Sequence, residues 1–78
     1  MSHAEQVSHE VPGRISYRAY PNPASEDGTR MWQVLYRQDP RVDYWGPRAI
    51  FMEQAGRFTV DGRDFSSAAM ALSYVAAR

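Results

Sequence analysis

The sequence predicts an α+β fold: an antiparallel meander of three to four strands with one C-terminal helix packed on one face. Two segments, residues 14–20 and 30–38, alternate apolar and polar side chains, as strands with one wet face do. Residues 67–77 are rich in alanine and carry apolar side chains at helical spacing. At 78 residues the chain makes one domain, which we place at residues 14–78.

The N-terminal residues 1–13 are polar, have no apolar period and end at a Pro-Gly pair, so we predict a flexible tail. The first strand follows over residues 14–20. Residues 21–28 are dense in Pro, Asn, Asp and Gly, which interrupt regular structure. We therefore expect a turn through Asp27 and Gly28 that joins the first strand to residues 30–38 in a hairpin.

The middle of the chain leaves two interpretations open. Residues 38–47 contain two prolines and a glycine and form a predicted loop, which is long enough to suggest a functional role. After it, Pro47 could begin a short helix that Gly56 ends, or residues 49–52 and 58–60 could pair as a second hairpin. We favour the hairpin, with Asp61 and Gly62 ending its second strand.

The last element is a predicted helix over residues 67–77, with Ser66 as the N-cap. Its apolar stripe contains Phe65, Ala69, Leu72 and Ala76, with Ala68 and Val75 beside them. The predicted core combines this stripe with one face of each strand: Ile15, Tyr17, Trp32, Val34, Tyr36, Phe51, Phe58, Val60, Phe65, Ala69 and Leu72.

One segment resembles the end of the RAMA domain, a small module found beside restriction and methylation enzymes. It reads Gly56-Arg57-Phe58-Thr59-Val60-Asp61-Gly62-Arg63-Asp64-Phe65-Ser66-Ser67-Ala68-Ala69. In that family a strand ends in a Val-Asp-Gly-Arg-x-Phe type of segment, and a serine- and alanine-rich helix follows. The resemblance covers under a quarter of the chain, and the family's Ser-Pro-Ser before the alanines is missing. It implies a DNA-associated role.

Composition points to a soluble protein of a reducing compartment. The chain has no cysteine, whereas secreted domains of this size usually carry disulfides, so we expect a cytoplasmic location. Its N-terminus lacks the basic start and apolar run of a signal peptide. No apolar stretch approaches the roughly 20 residues that span a bilayer.

Catalytic chemistry finds little support in the sequence. Both histidines, His3 and His9, lie in the predicted tail, and the chain has neither cysteine nor lysine, so no nucleophile sits beside a base. Asp39, Asp61 and Asp64 fit turns and a helix start better than an acid–base pair. The chain shows no metal-ligand spacing and no phosphate-binding glycine loop. We therefore expect no enzyme activity, no cofactor and no metal.

One constellation of residues suggests binding. All nine basic residues are arginine. Between residues 14 and 48 the chain has six arginines and four acidic residues. Aromatic residues are interleaved with them, a combination common in hot spots of protein interfaces and suited to single-stranded nucleic acid. The alternative is a solvated face on which arginines pair with neighbouring acids. The candidate binding residues are Arg18, Tyr20, Arg37, Arg41, Tyr44, Trp45 and Arg48.

These observations lead to two hypotheses about function. The first is a non-enzymatic binding protein that contacts a protein partner; small α+β proteins without catalytic groups are common among phage and mobile-element inhibitors of the anti-CRISPR type. The second is a small nucleic-acid-binding module related to restriction–modification systems. Nucleic-acid domains are usually strongly basic, whereas this chain has zero formal charge, which favours the protein partner. A homodimer is also compatible with an exposed sheet edge and with apolar residues, such as Met31 and Leu35, that face away from the helix.

Overall fold

The computed structural model describes residues 6–10 and 16–78. Within them the chain forms one antiparallel sheet whose strand order follows the sequence order, and one helix. The α+β prediction with a C-terminal helix is confirmed, but three to four strands was wrong, because the sheet has six. The elements are β1 (Val7–Glu10), β2 (Ser16–Pro21), β3 (Arg30–Arg37), β4 (Gly46–Gln54), β5 (Arg57–Val60), β6 (Arg63–Phe65) and α1 (Ala68–Ala77).

The first added strand, β1, lies within the predicted tail. Val7–Glu10 pair with β2, with Val7 opposite Ala19 and His9 opposite Tyr17. Val7 also packs against the core. The prediction of a flexible tail is therefore wrong for these four residues, which carry too few apolar side chains to show a strand period on their own. Residues 1–5 and 11–13 of that tail, and residues 14–15 of the predicted first strand, including Ile15 of the predicted core, lie outside the described residues.

The two predicted hairpins are both present. β2 pairs with β3 in the expected antiparallel register. β4 pairs with β5, so the hairpin interpretation of residues 49–60 is correct and the short helix is not formed. Ala55 and Gly56 close the second hairpin with φ of 54° and 78°, the left-handed pair that a two-residue turn needs to match strand twist.

The second added strand, β6, follows Asp61 and Gly62. These residues have φ of 52° and 72° and form another two-residue turn instead of ending the sheet. Arg63–Phe65 then pair back on β5, with Phe65 opposite Phe58. A strand of three residues is too short to show alternation, so no pattern within the segment indicates it.

The helix begins one residue later than predicted. Ser67, and not Ser66, is the N-cap: its hydroxyl accepts a hydrogen bond from the Met70 amide at 3.1 Å. The buried stripe moves with it, to Ala68, Ala71, Leu72 and Val75. Ala69, predicted in the core, is exposed. Ala68, Leu72 and Val75 belong to both stripes. Phe65 and Tyr36 pack at the margin of the core as half-buried residues.

The sheet curls around the helix. Six flat strands would span roughly 24 Å, at about 4.8 Å apart, whereas a helix is only about 10 Å wide. Yet α1 contacts β1 and β2 at one end of the sheet and β5 and β6 at the other. The inner face is therefore filled by the core, in which Phe51, Val34, Leu72 and Val75 are the largest fully buried side chains. Within the described ranges, no helix has the length and apolar character needed to cross a membrane.

Candidate binding surface

The outer face of the sheet is the one that α1 does not cover. Side chains alternate along each strand, so the neighbours of buried Tyr17, Val34 and Phe51 point to this side. We call it the open face. Its central side chains, with Trp45 lying against them, are Arg18, Tyr20, Met31, Gln33, Leu35, Arg37, Ile50 and Met52.

Trp45 joins two arginines on the open face. It immediately precedes β4, and its indole ring lies 4.2 Å from the guanidinium carbon of Arg18 and 4.7 Å from that of Arg37. These arginines lie on adjacent strands, since Arg18 is opposite Leu35 and Arg37 is opposite Ser16. At exposed sites a cation–π contact contributes about 0.5–1 kcal/mol. The single indole ring therefore helps hold two like charges on neighbouring strands.

The charges of these two arginines are not neutralised by the side chains that the structure describes. The ion pairs there use other arginines, Arg41, Arg57 and Arg78. Arg18 donates one long hydrogen bond, at 3.4 Å, to the Tyr20 hydroxyl. The Nε atom of Arg37 is buried and has no hydrogen-bond partner among the described groups. Among the described side chains, this end of the open face thus carries two arginine charges that form no ion pair, although the charge of Arg37 acts on Asp39.

Aliphatic side chains occupy the middle of the open face. Ile50 is 58% exposed and Met31 is 41% exposed, large fractions for apolar residues. Leu35 and Met52 are half-buried beside them, and Met31 lies directly opposite Met52. The open face therefore combines an apolar centre with an arginine-rich end.

Arg41 and Arg48 are not part of this cluster. Arg41 donates to Asp39 from its backbone and twice from its guanidinium, at 2.9, 3.1 and 2.8 Å. These bonds hold the pKa of Asp39 below its ordinary value of 3.8, and the charge of Arg37 adds a smaller effect. Arg48 occupies a β-bulge, because Val34 pairs with residue 49 while Leu35 pairs with residue 47.

Tyr44 lies on the other side of the sheet from Trp45. A Cβ atom built on Gly46 would be 3.4 Å from Cε2 of Tyr44 and 3.8 Å from Cε1 of Tyr36. Tyr36 is opposite Tyr17 on the helix side, so Tyr44 is on that side too, and 68% exposed. The rings of Tyr36 and Tyr44 border a cavity of about 210 Å³ under the loop. The seven predicted binding residues therefore do not form one surface.

The described residues contain a contact between a histidine and a hydroxyl group. His9, on β1, lies with Nδ1 3.4 Å from the hydroxyl of Ser73 on α1. This is longer than the reach of about 2.6–3.2 Å expected of a nucleophile and its base. Across residues 6–10 and 16–78 there is no group of three or more His, Cys, Asp or Glu side chains that could hold a metal. The open face thus remains the strongest candidate site.

These features define a small α+β protein with a curled antiparallel sheet, one face closed by a helix and the other open. Comparison of the chain with protein-family models, with curated proteins and with solved structures finds no match. The function must therefore be inferred from the site itself.

Sequence reasoning placed Met31 and Leu35 on the side away from the helix, where the structure has them, but missed Ile50 and Met52. Ile50 and Met52 flank the buried Phe51, which is the alternation expected of a strand with one wet face. The alternation is visible in the sequence. Because the segment could be a helix or a strand, however, the sequence did not determine which of its side chains share a face.

Proposed function

We propose that this protein is a non-enzymatic binding protein that acts by protein–protein contact, with the open face as its contact surface. The observation that supports this most is the combination of exposed aliphatic side chains, such as Ile50, with two arginines stacked on Trp45. Arg, Trp and Met are enriched in the cores of protein interfaces, and Trp and Arg dominate hot spots.

The backbone under the open face also favours this function. Its side chains lie on β2, β3 and β4, which are the central strands of the sheet or next to them. Side chains on paired strands are already ordered before a partner arrives, so binding orders fewer of them and costs less entropy.

The charge of the open face favours a partner that differs from the chain itself. Arg57 and Asp64 also lie on this side by register, opposite Gln54 and Thr59, and they pair with each other at 3.8 Å. Arg18 and Arg37, in contrast, form no ion pair with a described side chain. Two copies packed face to face would bring like charges together. A homodimer through the open face is therefore disfavoured relative to an acidic partner.

The same positive charge favours one alternative, a small nucleic-acid-binding module of the kind that the RAMA resemblance implies. Single-stranded nucleic acid is bound by stacking bases on aromatic side chains in a basic groove. Here the exposed apolar side chains at the centre, Met31 and Ile50, are aliphatic, and the Trp45 ring is already contacted by two guanidinium groups. The protein partner thus fits the open face better.

The narrower hypothesis, a phage-encoded inhibitor of the anti-CRISPR type, stays a prediction. It rests on the size and class of the protein and on no particular residue. The proposal of a protein partner does not depend on it.

Affinity capture from a lysate of the source organism tests the proposed function. The bait proteins are the wild type, Ile50→Glu on the open face, and Met70→Glu as the matched control. Met70 is also apolar and 51% exposed, but it lies on the helix. We expect a protein that survives nuclease treatment, that Ile50→Glu fails to capture and that Met70→Glu retains. Equal capture by all three baits would exclude the open face.

A further inference from the structure

Building on the proposed function, we infer that the partner presents an acidic segment, and that one Asp or Glu carboxylate of this segment binds Arg18 and Arg37 together beside Trp45. This specifies the chemistry of the partner, and so goes beyond the proposal that the open face binds a protein at all.

The two arginines are neighbours on the open face, and each lies beside the same ring. They are diagonal neighbours on β2 and β3, and diagonal positions lie about 7–8 Å apart on a sheet. Trp45 contacts both guanidinium groups, at 4.2 and 4.7 Å, so both are drawn toward one ring. A carboxylate has two oxygen atoms that can accept hydrogen bonds from two donors at once, and such charge-assisted bonds are stronger than neutral ones.

No internal anion fills this role in the described part of the chain. The described carboxylates that form ion pairs are Asp39, Asp61 and Asp64, and each pairs with a different arginine. A guanidinium has five donors, so the terminal nitrogen atoms of the two arginines can donate to an anion, which would also reduce the repulsion between the two charges.

The aliphatic residues beside the arginines distinguish a carboxylate of a protein from a phosphate of a nucleic acid. Leu35 lies directly opposite Arg18, and Ile50 lies opposite Gln33 in the next row. An acidic side chain placed at the arginines would bring its neighbours in the segment onto these aliphatic residues. Apolar neighbours gain from that burial, whereas the bases of a single strand are bound best by stacking on aromatic rings. The expected ligand is therefore an acidic residue flanked by apolar ones.

A displayed library of random peptides tests this inference even while the partner is unidentified. The library is selected against the wild-type protein, and the enriched peptides are then measured on Arg18→Gln, Arg37→Gln, Ile50→Glu and the control Arg41→Gln. Arg41 is exposed and bonded to Asp39, whereas the arginines that contact Trp45 are Arg18 and Arg37. Circular dichroism melts of each variant establish that it is folded.

We expect enrichment of Asp or Glu beside apolar residues, with affinity reduced about tenfold or more in either arginine variant, as loss of a charge-assisted hydrogen bond implies. Arg41→Gln should bind as the wild type does. Enriched peptides that depend on Ile50 but lack acidic residues would overturn the inference and leave the proposed function standing. Peptides insensitive to Ile50→Glu would overturn both. Displacement of the peptides by a single-stranded DNA oligonucleotide at physiological salt would overturn the inference in favour of a phosphate ligand.

Discussion

Trp45 holds the arginine-rich end of the open face together. It lies just outside a strand, yet its ring contacts guanidinium groups on two other strands. Trp45 therefore helps to position the two arginines, although its own position is not determined by the register of the sheet. Tyr44, one residue earlier, lies on the opposite side of the sheet and borders a different cavity.

Replacing Trp45 tests this dependence. We expect Trp45→Ala to lower the free energy of unfolding by about 1–3 kcal/mol, from two lost cation–π contacts and some lost burial, and to weaken binding of acidic peptides. Tyr44→Ala is the matched control, because Tyr44 is 68% exposed. Denaturant unfolding and peptide titration measure the two effects. If Tyr44→Ala weakened peptide binding as much as Trp45→Ala did, Trp45 would not be the positioning residue.

The elements of this fold are defined as much by their ends as by their interiors. The helix begins where the Ser67 hydroxyl accepts the Met70 amide, one residue beyond the serine that the sequence suggested. Its other end is attached to the sheet, because Asp61 in the β5–β6 turn accepts hydrogen bonds from Arg78 and, at 3.0 Å, from Tyr74. Both ends of α1 are therefore fixed by side-chain bonds.

A pair of serine substitutions tests the start of the helix. We expect Ser67→Ala to lower the free energy of unfolding by about 1 kcal/mol, because it leaves a helix N–H without its acceptor. Ser66→Ala should change it by less than about 0.5 kcal/mol, as exposed substitutions usually do. Thermal or denaturant unfolding distinguishes them. The opposite order of effects would place the N-cap at Ser66.

The attachment at Asp61 predicts a dependence of stability on pH. Hydrogen bonds from Arg78 and then Tyr74 lower the pKa of Asp61 below its ordinary value of 3.8. Because the folded-state pKa is the lower one, the contribution is fully present above pH 3.8 and is lost as the pH falls through the folded-state pKa.

The variant Asp61→Asn, which tolerates the left-handed turn, should therefore lose less stability between neutral and acid pH than the wild type does. Tyr74→Phe, which removes one of the two donors, should fall between them. Melting temperatures measured from pH 7 to about pH 2 give the comparison. Parallel pH profiles for all three proteins would contradict the role given to Asp61.

The sheet curls because a single short helix covers one face of all six strands. To contact both ends of the sheet, the helix needs those ends to bend toward it. The sequence predicted the helix and its position on one face from helical spacing, two strands from alternation, and two more from apolar segments on either side of a possible turn. It did not predict β1 and β6, of four and three residues. Such short strands are stabilised by pairing with neighbours and by contact with α1, and these interactions leave no pattern within the segment.

The candidate site was predictable to a similar extent. Arg18, Tyr20 and Arg37 follow from alternation along β2 and β3, and the structure brings them to one face with Trp45. The separation of Trp45 from Tyr44 depends on the backbone path of an irregular loop, which residue type alone does not determine. The pairing of Arg41 with Asp39 is a local contact that removes Arg41 from the site.

Site-specific photo-crosslinking in cells establishes whether the open face contacts a protein there. A photoreactive amino acid is introduced at Ile50 or, as the control, at Met70, and cells of the source organism that produce each variant are irradiated. We predict a discrete adduct from position 50 that protease removes and nuclease does not, and none of that size from position 70. An adduct that nuclease removes, equal adducts from both positions, or no adduct from position 50 would contradict the proposed function.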